Sequence, residues 1–254
     1  MISSNKRNIL AIAFGFMLVL AACDKAFEQP ASYSSFAVIH ASPVSATSPT
    51  DTLHVYLDTA RYTAVGVTYL NNSGYLPVLS GTRPINLRRQ ALTSSALYVN
   101  SFTNEFERGK IYSFFVYDTT TSSTGTAKVL RLKDDLTLPA ANMAHVRALH
   151  LAPTGPAVDI VLVRTSVTPN DSVTIANRAY IGGQPNEVAL SPFTPVPRGT
   201  YTAKIKLAGT QTVAASATVA LTPGTDVNLG RIVTIFVTGT AKGRPLAIGT
   251  FRHY

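Results

Sequence analysis

Arg108-Gly-Lys-Ile-Tyr-Ser-Phe-Phe-Val116 and Leu229-Gly-Arg-Ile-Val-Thr-Ile-Phe-Val237 share one pattern. A glycine and a base form a turn, and a strand-length run of branched and aromatic residues follows. Each run leads on to a further matched piece, Thr126-Ala-Lys128 and Thr240-Ala-Lys242. Upstream of each lies another pair, Val38-Ile-His40-Ala-Ser-Pro43 and Ala148-Leu-His150-Leu-Ala-Pro153. These too continue alike, into His54-Val-Tyr-Leu-Asp58 and Val158-Asp-Ile-Val-Leu162. Two motifs in the same order, about 110 and 120 residues apart, point to an internal repeat.

Between the motifs the chain reads as strands and turns. Tyr75–Leu79, Pro84–Arg88, Ala96–Asn100 and Ala127–Leu132 are short, apolar or alternating runs in the first half. Tyr201–Leu207, Ala215–Leu221 and Pro245–Gly249 play that part in the second. Tyr201–Leu207 alternates cleanly and puts Lys204 and Lys206 on an outer face. Strands about ten residues apart, with few helical stretches, predict a sandwich or barrel. The expected fold class is all-β: two tandem antiparallel β-sandwich, immunoglobulin-like domains. Residues 36–138 form the first repeat and 144–254 the second. Leu138-Pro-Ala-Ala-Asn142 is the boundary.

The N-terminus gives an address. Lys6 and Arg7 precede an apolar run, Ile9 to Leu20, then Ala21, Ala22 and Cys23. A basic head, a short apolar core and a small-residue cleavage site define a secretory signal. The run is shorter than the roughly 20 residues of a membrane-spanning helix. Leu20-Ala-Ala-Cys23 resembles the lipobox of bacterial lipoproteins. That resemblance implies a signal peptide over 1–22, cleavage between Ala22 and Cys23, and lipid on Cys23. Several acyl chains on one residue anchor stably, where a single chain does not. Cys23 is the chain's one cysteine, so no internal disulfide is open to it. Residues 23–35 read as a lipidated tether to the membrane. The expected location is the cell envelope, with the outer membrane preferred over the inner. Asp24 marks the inner-membrane alternative, because it retains lipoproteins there in some bacteria.

Composition narrows the partners. The chain has 22 Lys+Arg and 13 Asp+Glu. The leader holds two bases and no acid, so residues 23–254 carry 20 − 13 = +7. The bases are scattered, and Arg88-Arg89 is their one adjacent pair after the leader. No cluster has the footprint of a nucleic-acid binder, so no nucleic acid is expected.

The opening motif of both halves supports a family resemblance. His-x-[Ser/Ala]-Pro before a Val-Tyr-Leu-Asp or Val-Asp-Ile-Val strand looks like the family called domain of unknown function 4397. The residues that carry it are His40, Ser42, Pro43, Val55, Tyr56, Arg147, His150, Pro153, Pro156, Val158 and Asp159. The resemblance implies exported or lipid-anchored proteins with β-sandwich repeats in tandem. It implies no activity. The first repeat departs by a longer Val44–Thr52 loop, and the second lacks an aromatic in Val158–Val163.

Chemistry-bearing residues are sparse. His40 and His54 can face each other if their strands are neighbours, but two imidazoles without a carboxylate or thiol make a poor metal site. The matched His40 and His150 are expected to make a recurring structural hydrogen bond beside the Pro turn. No Gly-x-Ser-x-Gly elbow is present. Asp58, Glu105, Glu107, Asp159 and Glu187 show no pairing signal beyond Glu105-Phe-Glu107, which fits a solvated edge. No catalytic residue, metal or cofactor is expected. Tyr56, Tyr62, Tyr69, Tyr75 and Tyr98 offer stacking faces for sugars, or are half-buried strand residues. Thr52, Thr59, Thr119 and Ser172 each follow an aspartate. They look like acceptors of a bacterial O-glycosylation system, although Asp-Thr is also ordinary turn chemistry.

The expectation is a non-catalytic envelope module, binding or structural, that meets glycan or protein partners through the loops Val44–Thr52, Arg61–Gly74 and Arg164–Pro185. The alternative is an exported hydrolase acting on envelope or extracellular polymer, with a site joining His40 or His150 to a serine and a carboxylate.

Overall fold

The computed structural model describes residues 32–42, 52–89, 97–118, 127–153, 155–164, 171–222, 231–239 and 244–253. Ala22, Cys23 and Thr119 lie outside them, as does the Val44–Thr52 loop up to its last residue. Tyr33–Tyr254 forms one compact unit.

The fold is all-β and stacks four sheets. The first outer sheet runs β3 (Ala60–Arg61), β2 (Thr52–Leu57), β6 (Gly81–Arg89), β7 (Leu97–Phe106), with β4 (Val67–Thr68) beside β2. The first inner sheet runs β5 (Leu76–Leu79), β1 (Tyr33–His40), β8 (Ile111–Tyr117), β9 (Lys128–Asp134). The second inner sheet runs β13 (Thr194–Pro197), β10 (Met143–His150), β16 (Ile232–Thr238), β17 (Ala247–His253). The second outer sheet runs β12 (Asp171–Arg178), β11 (Val158–Arg164), β14 (Gly199–Leu207), β15 (Val213–Leu221). One short helix, α1 (Glu187–Leu190), precedes β13 and is capped by the Asn186 side chain.

Pairing is antiparallel except at the middle of each inner sheet. There β1 runs parallel to β8, and β10 to β16. The edge strands β5 and β13 carry Pro77, Pro195 and Pro197, as edges tolerate a residue without an N–H. Both inner sheets have the same order, and corresponding pairs have the same register. Ser35 faces Ile111 in one, and His145 faces Ile232 in the other.

Three apolar cores separate the four layers. Phe36, Val38, Phe114 and Val116 pack against Leu53, Val55, Ile85 and Leu87. Val146, Val233 and Ile235 pack against Ile160, Leu162, Tyr201 and Ile205. The third core joins the inner sheets: Ile39, Phe115, Tyr117, Leu130 and Leu132 meet Leu149, Leu151, Phe236 and Phe251. So β1, β8, β10 and β16 are covered on both faces and buried along most of their length, and β8 and β16 are near-continuous apolar runs. By contrast, β14 alternates buried and half-exposed positions, as an outer strand should.

Several expectations are corrected. Tyr33–Ser35, read as tether, already pairs in β1. His40 and His54 are not on neighbouring strands, because β1 and β2 belong to different sheets. Arg164–Pro185 is not one loop, since β12 lies within it. Arg61–Gly74 includes β4 and is laced to β1. Leu70 N–H donates to His40 O at 2.8 Å, and Ser73 N–H to Val38 O at 3.0 Å.

Candidate functional site

The densest group of chemistry-bearing side chains lies between the two inner sheets. The first half contributes Tyr75, Ser113 from β8 and Asp134 from β9. The second contributes Arg147 from β10, Thr234 from β16 and His253 from β17. Arg147 Nη1 donates to Asp134 Oδ1 at 2.8 Å, Nη2 to Ser113 Oγ at 3.0 Å, and Nε to Thr234 Oγ1 at 3.0 Å. Nη1 also reaches Ser191 O at 3.2 Å. Tyr75 Oη lies 3.1 Å from Asp134 Oδ2 and 2.6 Å from His253 Nδ1. Thr234 Oγ1 lies 2.9 Å from His253 Nε2.

One proton arrangement satisfies the ring of contacts. Tyr75 donates to Asp134 Oδ2, since the carboxylate can only accept. The Tyr75 oxygen then accepts from His253 Nδ1–H. Thr234 accepts from Arg147 and donates to His253 Nε2. Ser113 likewise accepts from Arg147 and donates to Asp134 Oδ1 at 3.1 Å. His253 is therefore a neutral tautomer. Burial, with the nearby Arg147 charge, pushes its imidazole well below its ordinary value. Burial is also the larger influence on the ion pair, raising the Asp134 carboxyl and lowering the Arg147 guanidinium against their mutual attraction.

The register explains the pattern. Ser113 sits on β8 where Thr234 sits on β16, and Asp134 ends β9 where His253 ends β17. Each half thus brings one hydroxyl and one titratable group to the seam. Arg147 breaks the match, standing where the first half has Ala37.

Asp134, His253 and Thr234 follow each other like a carboxylate–imidazole–hydroxyl relay. Their burial prevents that use. Thr234 and His253 are 0% exposed, and Arg147 already holds the Thr234 oxygen. A nucleophile must meet its substrate, and this one is sealed beneath packed sheets. A cleft of about 310 Å³ lies nearby, lined by Lys133, Asp135, Thr137, His145 and Ser191–Phe193. The Phe193 ring stands between cleft and cluster, 4.5 Å from the Arg147 guanidinium carbon. The cleft's charges are engaged within the protein: Lys133 with Glu107 at 2.7 Å, and Asp135 with Thr137 Oγ1 at 2.7 Å.

At the other end of the seam each half sends a strap across. Tyr69 stands edge-on to His40, and Tyr180 to His150. Leu70 N–H bonds His40 O, and Ile181 N–H bonds His150 O. Tyr69 then reaches Thr238 Oγ1 of the second half at 3.5 Å, and Tyr180 reaches Asp118 Oδ2 of the first at 3.1 Å.

His150 makes the structural bond beside the Pro turn. Its Nε2–H donates to Pro156 O at 2.9 Å, and its Nδ1 accepts from Ala152 N–H at 3.3 Å. His40 does not match it. Its ring is fully buried, and neither nitrogen has a hydrogen-bond partner among the described residues. Burial, with charge from Arg89 and Arg244, pushes it down to about 3. Neither histidine hydrogen-bonds a serine or a carboxylate among the described residues, as the hydrolase alternative requires. Among those residues no three of His, Cys, Asp or Glu gather as a metal site.

The carboxylates are dispersed. Asp58 pairs with Arg83 at 3.1 Å, and Glu187 with Arg131 at 3.1 Å. Asp159 accepts from Asn177 N–H at 2.7 Å. Glu105 and Glu107 are exposed about the buried Phe106. Tyr56, Tyr62, Tyr69 and Tyr75 are half-buried, while the side chain of Tyr98 is outside the described residues. Thr59 and Ser172 are exposed, and Thr52 is half-buried against Gly66. Arg147, Asp134 and His253 had no place in the sequence reading as a site. The available signal was a charge inside an apolar strand, Val146-Arg-Ala-Leu149.

No curated protein matches the chain. It is similar to a solved structure, the crystal structure of CBMbc (family CBM26) from Eubacterium rectale Amy13K in complex with maltoheptaose. That match has 12% identity, covers 87% of this chain and 97% of that one, and has a TM-score of 0.26. At that score nothing is transferred from it. The family described as Domain of unknown function (DUF4397) matches residues 34–161, from the start of β1 into β11. That is 128 of 254 residues, and the chain belongs to this family.

Proposed function

We propose that this protein is a non-catalytic envelope lipoprotein, anchored through Cys23, that presents a binding surface for glycan or protein. The observation that supports it best is the sealed cluster. The residues with the most chemical potential hold two sheet stacks together, 0–8% exposed at Asp134, His253 and Thr234. The two halves are read as duplicated sandwiches, on their shared sheet order.

Two of the three loops expected to bind are structural straps, so the surface moves to the remaining one. Segments 43–51, 90–96 and 119–126 all join strands at one end of the first half: the ends of β1, β6 and β8 and the starts of β2, β7 and β9. Loops gathered on a rigid scaffold are the usual place for recognition. Replacing 43–51 with a Gly/Ser stretch of equal length should leave the melting temperature within a few degrees. It should also abolish capture on a glycan array or from an envelope pull-down. Capture that survives the replacement, or none by the intact protein, contradicts the reading. O-glycans are proposed at Thr59, Ser172 and Thr119. Thr52 is the least accessible described acceptor, crowded by Gly66.

A further inference from the structure

We infer that the end of the body opposite those loops is a membrane-contacting face, fitted to an anionic bilayer surface. This rests on the lipid anchor proposed above and adds an orientation to it.

The strand register assembles this face. Tyr33 opens β1 and faces Leu79 at the end of β5. Gly109 N–H donates to Tyr33 O at 2.9 Å, which brings the Glu107–Lys110 turn alongside. Asp134, at the end of β9, faces Ile111 at the start of β8, so the 135–142 connection leaves from the same end. The second half points the same way, because Arg198 N–H donates to Asn142 O at 2.9 Å and Met143 faces Pro197.

The chemistry of this end is that of an interface. Tyr33 is 58% exposed, Leu79 40% and Leu138 51%, three of the six large apolar side chains exposed among the described residues. Arg108, Lys110 and Arg198 stand exposed with them. Two exposed acids at this end are engaged within the protein, Glu107 of that turn by Lys133 and Asp135, which also feels the Lys110 charge, by Thr137. An aromatic with a polar tip is enriched at headgroup depth. Each base near an anionic leaflet adds to the attraction.

The tether gives the occupant. Only Asp24 to Ser32 separates the lipidated residue from Tyr33. Fully extended, ten Cα steps reach about 35 Å. The body therefore cannot leave the surface, and the end where β1 begins is nearest to it. A partner protein on this face would have to fit into that gap. The segments 43–51, 90–96 and 119–126 then leave from the end that faces away.

The test uses the full lipidated protein in vesicles of phosphatidylethanolamine and phosphatidylglycerol. Acylation occupies Cys23, so an introduced cysteine can carry one fluorescent label. Leu79→Cys reports the proposed face. Val213→Cys, 46% exposed at the start of β15, reports the opposite end. A lipid-borne quencher should quench the Leu79 label at least threefold more than the Val213 label. Arg108→Glu with Lys110→Glu should reduce that difference, and zwitterionic phosphatidylcholine vesicles, which carry no net charge, should do the same. Equal quenching at both positions on an acylated protein would overturn the face and leave the anchor standing. An N-terminal peptide without acyl chains would overturn both.

Discussion

Arg147 is the residue on which the seam turns. It is 2% exposed and bonds to Asp134, Ser113, Thr234 and Ser191 O. Removing one member of a buried ion pair leaves the other charge uncompensated, at a cost of about 3–5 kcal/mol. Arg147→Met should lower unfolding stability by that amount in urea, while Arg147→Met with Asp134→Leu should recover much of it. A single variant that loses under 1 kcal/mol would contradict the account. The buried histidines give a pH dependence. His40, His150 and His253 all titrate below their ordinary 6.5 in the fold. The unfolded chain then takes up protons that the folded one refuses. Stability is full above pH 6.5 and falls as pH drops toward about 3, where His40 protonates in the fold. Each histidine costs about 1.4 kcal/mol per pH unit across its window. The raised carboxyl of Asp134 acts in the opposite sense and offsets part of this. His253→Gln should flatten the acid limb in urea titrations below pH 6.5. At this scale the sequence was only partly legible. His150 could be read from its Pro turn. The cluster could not, because its members are spread from Tyr75 to His253 and meet only across two sheets.

Among the elements, legibility followed periodicity. Strands β1, β2, β8, β10, β11, β14 and β16 lie where apolar runs or clean alternation predict them. No such pattern marks β3, β4, β12 and β13, which are two residues long, polar on the surface or rich in proline. Phe36-Ala-Val-Ile39 and Ile232-Val-Thr-Ile-Phe-Val237 do not alternate, and an unbroken run marks a strand covered on both faces. It carried the information that two sandwiches share a third core. Close packing at that core makes β17 intolerant. A Cβ on Gly249 would come within 2.1 Å of the Phe236 ring. Gly249→Ala should destabilise by about 1–3 kcal/mol, as overpacking does. A melting temperature unchanged by that substitution would contradict this packing.

For the molecule as a whole, the seam decides whether the halves are independent. Phe115, Tyr117, Leu130 and Leu132 of the first half are covered by the second. Buried side chains of this kind contribute about 1.5–3 kcal/mol each. A fragment of residues 33–138 should therefore associate or aggregate, whereas residues 33–254 should run as a monomer with one unfolding transition. Two separated transitions would show that the seam is weak. No helix among the described residues is long and apolar enough to cross a membrane. The proposed attachment is a thioether on Cys23, and the intact mass of the mature protein from native membranes tests it most directly. The predicted mass begins at Cys23 and includes a diacylglyceryl group with its acyl chains, plus sugar increments where Thr59, Thr119 or Ser172 is occupied. A mass that retains residues 1–22, or that ends in an unmodified thiol, would contradict the account.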